Sequence, residues 1–152
     1  VGCYAGRKDL MDLVAPLGNV YQAGTLSANP VGMVAGLETL QKMQRLDGWK
    51  LLEKRGQYFE KKVKDLLADK KSPMDLIRYG SLFWFHIKTE NPIRQVGQIP
   101  AGQKEAFRNL FLKALQRGVY LAPNAYEVGF LSLAHDEPVI DQTVKILEES
   151  LG

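Results

Sequence analysis

The chain has 152 residues, 45% of them hydrophobic and 24% charged, with a formal net charge of +3 and a pI near 9.0. That length allows one sizeable core, or a small domain with an appendage, and the composition excludes a disordered or fibrous protein. No apolar run is long enough to span a membrane, Arg7, Lys8 and Asp9 interrupt any secretory leader, and the single cysteine, Cys3, excludes an internal disulfide.

A reducing compartment fits that cysteine usage, with the cytosol as the default and a plastid source whose transit peptide is absent as the alternative. The charge is unevenly spread. Between Lys50 and Lys71 eight basic residues face four acidic ones, so the whole basic excess lies in that stretch. The acidic residues are interspersed and the aromatics fall with the apolar stripe, which predicts a solvated helix face rather than a nucleic-acid interface.

In chain order, the first elements are polar helix turns followed by a loop, Val20-Tyr21-Gln22-Ala23-Gly24-Thr25-Leu26-Ser27-Ala28-Asn29-Pro30. Asn29 is a good N-cap and Pro30 a good first helical residue, so a helix is predicted from Pro30 to about Leu46. Gly24 permits close approach of the backbone and Thr25 adds a hydroxyl. A helix start with bare N–H groups, a glycine and a hydroxyl suits a phosphate. Ala28, Gly32 and Gly36 make a small-residue stripe on which another element can pack closely.

Asp47 is placed to cap a second helix, Gly48 to about Lys70, with Leu52, Phe59, Val63, Leu66 and Leu67 on one face. Lys70, Lys71 and Ser72-Pro73 stop it. Leu76 to Lys88 reads as a strand bent at Gly80-Ser81, apolar on both faces and hence central in its sheet. Glu90 to Gly102 is a loop. Gln103 to Arg117 is amphipathic, with Phe107, Leu110, Phe111, Ala114 and Leu115 inward and Gly118 as the residue just past the helix. Short strands are predicted at Val119–Ala122 and Phe130–Leu133, and Asp136 caps a last helix whose apolar side carries Val139, Ile140, Val144, Ile146 and Leu147.

From Gly48 onward this order predicts an α+β module in which helices cover a small sheet. Residues 1–46 do not complete a domain and read as part of a larger one, leaving 47–152 as a small C-terminal α/β domain.

Three ordered blocks carry a resemblance: Val1-Gly2-Cys3-Tyr4-Ala5-Gly6 with the Val20–Pro30 loop, Gly118 to Phe130, and Leu131-Ser132-Leu133-Ala134-His135 followed by Asp136-Glu137. Together they resemble the class III aminotransferase group of pyridoxal 5′-phosphate (PLP) enzymes, and within it the aminomutases. The resemblance runs along the chain except between about Thr89 and Gln103. It implies the C-terminal portion of a fold-type-I PLP transferase, between α/β and α+β, with a small antiparallel sheet covered by helices and a remnant of the large cofactor domain.

It also implies a pyridoxal or pyridoxamine phosphate cofactor, a small-molecule substrate and a homodimer. Gly24 and Thr25 would hold the phosphate of the neighbouring subunit's cofactor. Glu127 would lie at the substrate end of the pocket, and Tyr21 would line that pocket or anchor the loop to the core. The Schiff-base lysine would lie upstream of Val1, so this chain by itself would be inactive. Lys8, beside Arg7 and Asp9, reads as a surface residue. His86 and His135 lack partners at metal-ligand spacing, no glycine-serine elbow supports a serine nucleophile, and Cys3 has no activating cluster. A second class of function, a non-catalytic packing or dimerisation module, stays open for the chain taken alone.

Overall fold

The computed structural model describes residues Val1–Leu151, which separate into two units, one spanning Val1–Asp47 and the other starting at Gly48.

The first unit holds two helices. α1, Lys8–Met11, is one polar turn, and a parallel bridge between Val14 and Val20 closes the chain after it. α2, Pro30–Arg45, starts as its sequence demands: Asn29 is extended and its side-chain oxygen accepts from the Gly32 N–H at 2.8 Å. The small-residue stripe is used at Gly36, where Val1 lies so close that a Cβ would meet its side chain, and at Gly32, where a Cβ would meet the side chain of Asn29. No residue of α2 is fully buried; Val31, Val34, Leu37 and Leu40 are all more than half exposed.

The second unit is a three-stranded antiparallel sheet with three helices. α3, Gly48–Asp69, is followed by β1, Met74–Tyr79, and β2, Leu82–Ile87. A short 3-10 turn, Val96–Gln98, interrupts the next loop. α4 spans Gln103–Gln116, β3 only Gly129–Phe130, and α5 Glu137–Leu151. Asp136 does cap α5, its carboxylate accepting from the Val139 N–H at 3.1 Å. The core joins Phe59, Val63 and Leu67 of α3, Met74 and Leu76 of β1, Phe83 and Phe85 of β2, Phe107, Leu110 and Ala114 of α4, and Ile140 and Leu147 of α5.

Three expectations about strands need correction, the first being that the strand expected at Phe130–Leu133 is the two-residue Gly129–Phe130. Residues 76–88 are not one bent strand. They form a hairpin in the register Leu76↔Phe85 and Ile77↔Trp84. Gly80 takes φ +61° at the first position of the two-residue turn, a conformation that favours glycine. Of the two strands only β2 is central, the order being β1-β2-β3. The strand expected at Val119–Ala122 does not form. Its first residue is consumed in ending α4: Gly118 sits at φ +94°, with the Gly118 N–H donating to Leu115 O and the Val119 N–H to Ala114 O, the two bonds of a Schellman motif. α3 closes in the same way, but with Lys71 in the left-handed position at φ +48°.

α3 meets the hairpin very closely. A Cβ on Gly56 would stand 2.2 Å from the Gly80 carbonyl oxygen. Around that contact Arg78 donates to Glu60 at 2.7 Å, to both Glu53 oxygens at 3.1 and 3.2 Å and to Gly80 O at 2.7 Å. Burial by itself would raise the Glu60 carboxyl, but hydrogen bonds from Arg78 and Lys64 outweigh it and hold Glu60 below the usual carboxylate range. Among the described residues no helix is long and apolar enough to cross a membrane.

Candidate functional site

Each unit carries one candidate segment. In the first unit it is the loop before α2. The Ser27 N–H donates to Gly24 O at 3.0 Å, closing a turn over Thr25 and Leu26. Asn29 then fastens that turn to the helix, its Nδ2 donating to Leu26 O at 2.8 Å while its oxygen caps Gly32.

The cap changes how this segment could hold an anion. One of the N–H groups expected to be bare at the helix start is already taken by Asn29. What remains is the turn itself. Thr25 is exposed, and among the described residues neither its hydroxyl nor its N–H is engaged. No charged side chain occurs in sequence between Asp12 and Glu38, so the turn would greet an anion with dipoles and no opposing carboxylate on its own stretch. Tyr21 is 84% exposed within this unit. Lys8 is exposed and paired with Asp12, as a surface lysine should be.

In the second unit the candidate segment runs from Ala122 to Phe130. Asn124 folds it: its side-chain oxygen accepts from the Tyr126 N–H at 3.0 Å, and its carbonyl accepts from the Glu127 N–H at 3.1 Å. Glu127 is exposed and lines a crevice with Trp84, Phe107 and Ala122. A larger cavity of about 600 Å³ is lined by Asn124, Ala125 and Tyr126 of the segment together with Lys104, Arg108 and Phe111 of α4.

Two side chains that the sequence did not single out secure this segment. The Trp84 indole N–H donates to Ala125 O at 2.8 Å, with the ring stacked on buried His86. Gln103, wholly buried, donates through Nε2 to the same carbonyl at 3.1 Å and to Phe85 O at 2.9 Å, while its oxygen accepts from the Ile87 N–H at 2.8 Å. A glutamine opening a helix has no sequence pattern that marks it as a buried strut. Among the described residues no three His, Cys, Asp or Glu side chains converge as a metal site would require.

No family model matches the chain. A curated relative, the glutamate-1-semialdehyde 2,1-aminomutase of Bdellovibrio bacteriovorus, is 55% identical over 150 residues, which is 99% of this chain and 35% of that protein. Among solved structures, an omega-transaminase from Sphaerobacter thermophilus superposes with a TM-score of 0.77 at 27% identity, covering 96% of this chain and 34% of that one. A glutamate-1-semialdehyde aminomutase from Pseudomonas aeruginosa in complex with PMP gives 0.70 at 23% identity, over 89% of this chain and 30% of that one. The chain thus spans about a third of the length of the relatives it matches. Over nearly all of that span it is similar in sequence to the aminomutases, and its fold is that of the fold-type-I PLP-dependent transaminases.

Proposed function

We propose that this chain, similar by sequence to one stretch of the glutamate-1-semialdehyde 2,1-aminomutases, is the C-terminal third of such an enzyme. The whole enzyme would convert glutamate-1-semialdehyde to 5-aminolevulinate for tetrapyrrole synthesis, as a cytoplasmic homodimer. The observation that carries this reading is 55% identity sustained over 99% of the chain.

The residues present suit one end of the cofactor. An exposed turn with a free hydroxyl and N–H beside a glycine matches the needs of a phosphate. In this reading Gly24 and Thr25 close on the phosphate of the partner subunit's cofactor. When bound, the cofactor in its pyridoxamine form supplies an amino group to the substrate and takes another back. The chain's own part is to hold the phosphate at Thr25, to set the substrate end through Glu127, to line the pocket with Tyr21 and to keep water out.

Substituting Thr25→Val in the full-length dimer should weaken pyridoxamine phosphate binding about tenfold or more, since one charge-assisted hydrogen bond is lost. A fluorescence titration measures it. Unchanged affinity would refute the phosphate role.

One observation favours a second reading. An omega-transaminase shares this fold at a TM-score of 0.77 and 27% identity, so amino transfer between two molecules is the alternative reading. Turnover of the semialdehyde without any added amino donor or acceptor would decide for the aminomutase.

A further inference from the structure

β3 is two residues long and pairs only with Leu82 and Phe83 of β2. Beyond that point the same edge of β2 presents the Phe85 carbonyl and the Ile87 N–H, and both are buried or half-buried. The Gln103 side-chain amide meets both, giving a donor to residue 85 and an acceptor to residue 87. Those are the two bonds that one residue of a parallel strand would make. The amide therefore stands in for a strand, and its second N–H is left to point outward from the sheet.

That second N–H goes to Ala125 O, which is the acceptor of the Trp84 indole as well. Ala125 is itself 5% exposed. Two residues later comes Glu127, whose own N–H is tied back to Asn124 O. The segment is thus fixed to the rigid sheet at one carbonyl, by two donors from different elements, immediately before the carboxylate.

We infer that Gln103 and Trp84 are positioning residues for Glu127, holding the Ala125 carbonyl so that the carboxylate is presented at a fixed place to the polar end of the substrate. The inference rests on the role given to Glu127 above. In this arrangement both side chains act through the backbone of 125–127.

Trp84→Phe is the sharper variant, because it removes the indole N–H together with the five-membered ring that carries it, keeps a six-membered aromatic ring at that position, and leaves the Gln103 side chain in place. It is made in the full-length dimer, alone and combined with Glu127→Gln, with Glu127→Gln alone as reference. Amide hydrogen exchange and steady-state kinetics with glutamate-1-semialdehyde are the readouts. Trp84→Phe is expected to speed exchange over residues 122–129 while leaving α3 and β1 unchanged. It should raise KM about fivefold, the worth of one hydrogen bond, with kcat within about twofold. On the Glu127→Gln background it should raise KM no further, because its effect passes through that carboxylate.

Unchanged exchange over 122–129, an unchanged KM, or a KM effect that persists on the Glu127→Gln background would each overturn the inference while leaving the role of Glu127 standing. If Glu127→Gln itself changes neither KM nor kcat, the role of Glu127 falls and the inference falls with it.

Discussion

Replacing Gly56 by alanine sets two effects against each other. Within a helix, glycine is about 1 kcal/mol worse than alanine, so propensity alone expects a more stable protein. The structure expects the reverse. The new Cβ would stand 2.2 Å from the Gly80 carbonyl oxygen and 3.1 and 3.2 Å from Nη1 and Cδ of Arg78. Carbon and a carbonyl oxygen rest about 3.3–3.6 Å apart even in their closest favourable contacts, so α3 and the hairpin turn must part by about 1 Å. The Arg78 tail cannot simply swing away, because it is held by Glu53, Glu60 and Gly80 O.

Forcing a methyl group into a filled contact costs about 1–3 kcal/mol, and losing one hydrogen bond to a charged group adds about 1.5–3 kcal/mol. Set against the propensity gain, the net loss is about 1.5–5 kcal/mol, or about 6 °C or more in the Tm of a domain this size. Thermal unfolding followed by circular dichroism measures it. Gly97→Ala is the control, since a Cβ there meets nothing within 4 Å. If Gly56→Ala melts at or above the parent temperature, the contact between α3 and the hairpin does not govern this position.

Two further outcomes follow from the second unit. Because the Glu60 pKa is held down in the folded state, the stability it lends is fully present above the ordinary glutamate pKa of about 4.3 and is lost as pH falls through its lower folded value. Urea midpoints of the wild type and Glu60→Gln should therefore differ most near pH 7 and converge below about pH 4; a gap that stays constant from pH 7 to pH 3 contradicts the Arg78 pairing. The two Schellman motifs give substitutions of opposite sign: Gly118→Ala should cost about 1 kcal/mol and Lys71→Gly should gain a similar amount, because each changes only the cost of a left-handed residue. Equal shifts in the same direction would contradict that assignment.

The helices were legible in the sequence because their ends are local chemistry. Asn29-Pro30, Gly118 and Asp136 each satisfy backbone groups within a few residues, so the signal and its structural consequence lie together. The hairpin was harder. Leu76 to Ile87 is apolar on both sides of Gly80-Ser81, so the alternation ran through the turn and hid the reversal. Val119–Ala122 has strand-like residues but no strand partner: the edge of β2 is taken first by β3 and then by a side chain, Gln103.

The candidate residues were legible only through their neighbours in sequence. Thr25 and Glu127 stand in distinctive loops, whereas Gln103 and Trp84 matter through hydrogen bonds spanning 16 to 41 positions, a distance over which no periodicity carries.

The amide at Gln103 also has a bearing on solubility. An open stretch of β2 would offer a foreign chain a ready template for adding a strand, the route by which exposed sheet edges seed aggregates. Here one side chain blocks it, and that side chain arrives only when α4 docks. Any folding intermediate in which the hairpin has formed before α4 settles carries a sticky edge, and chaperone demand should concentrate in that interval.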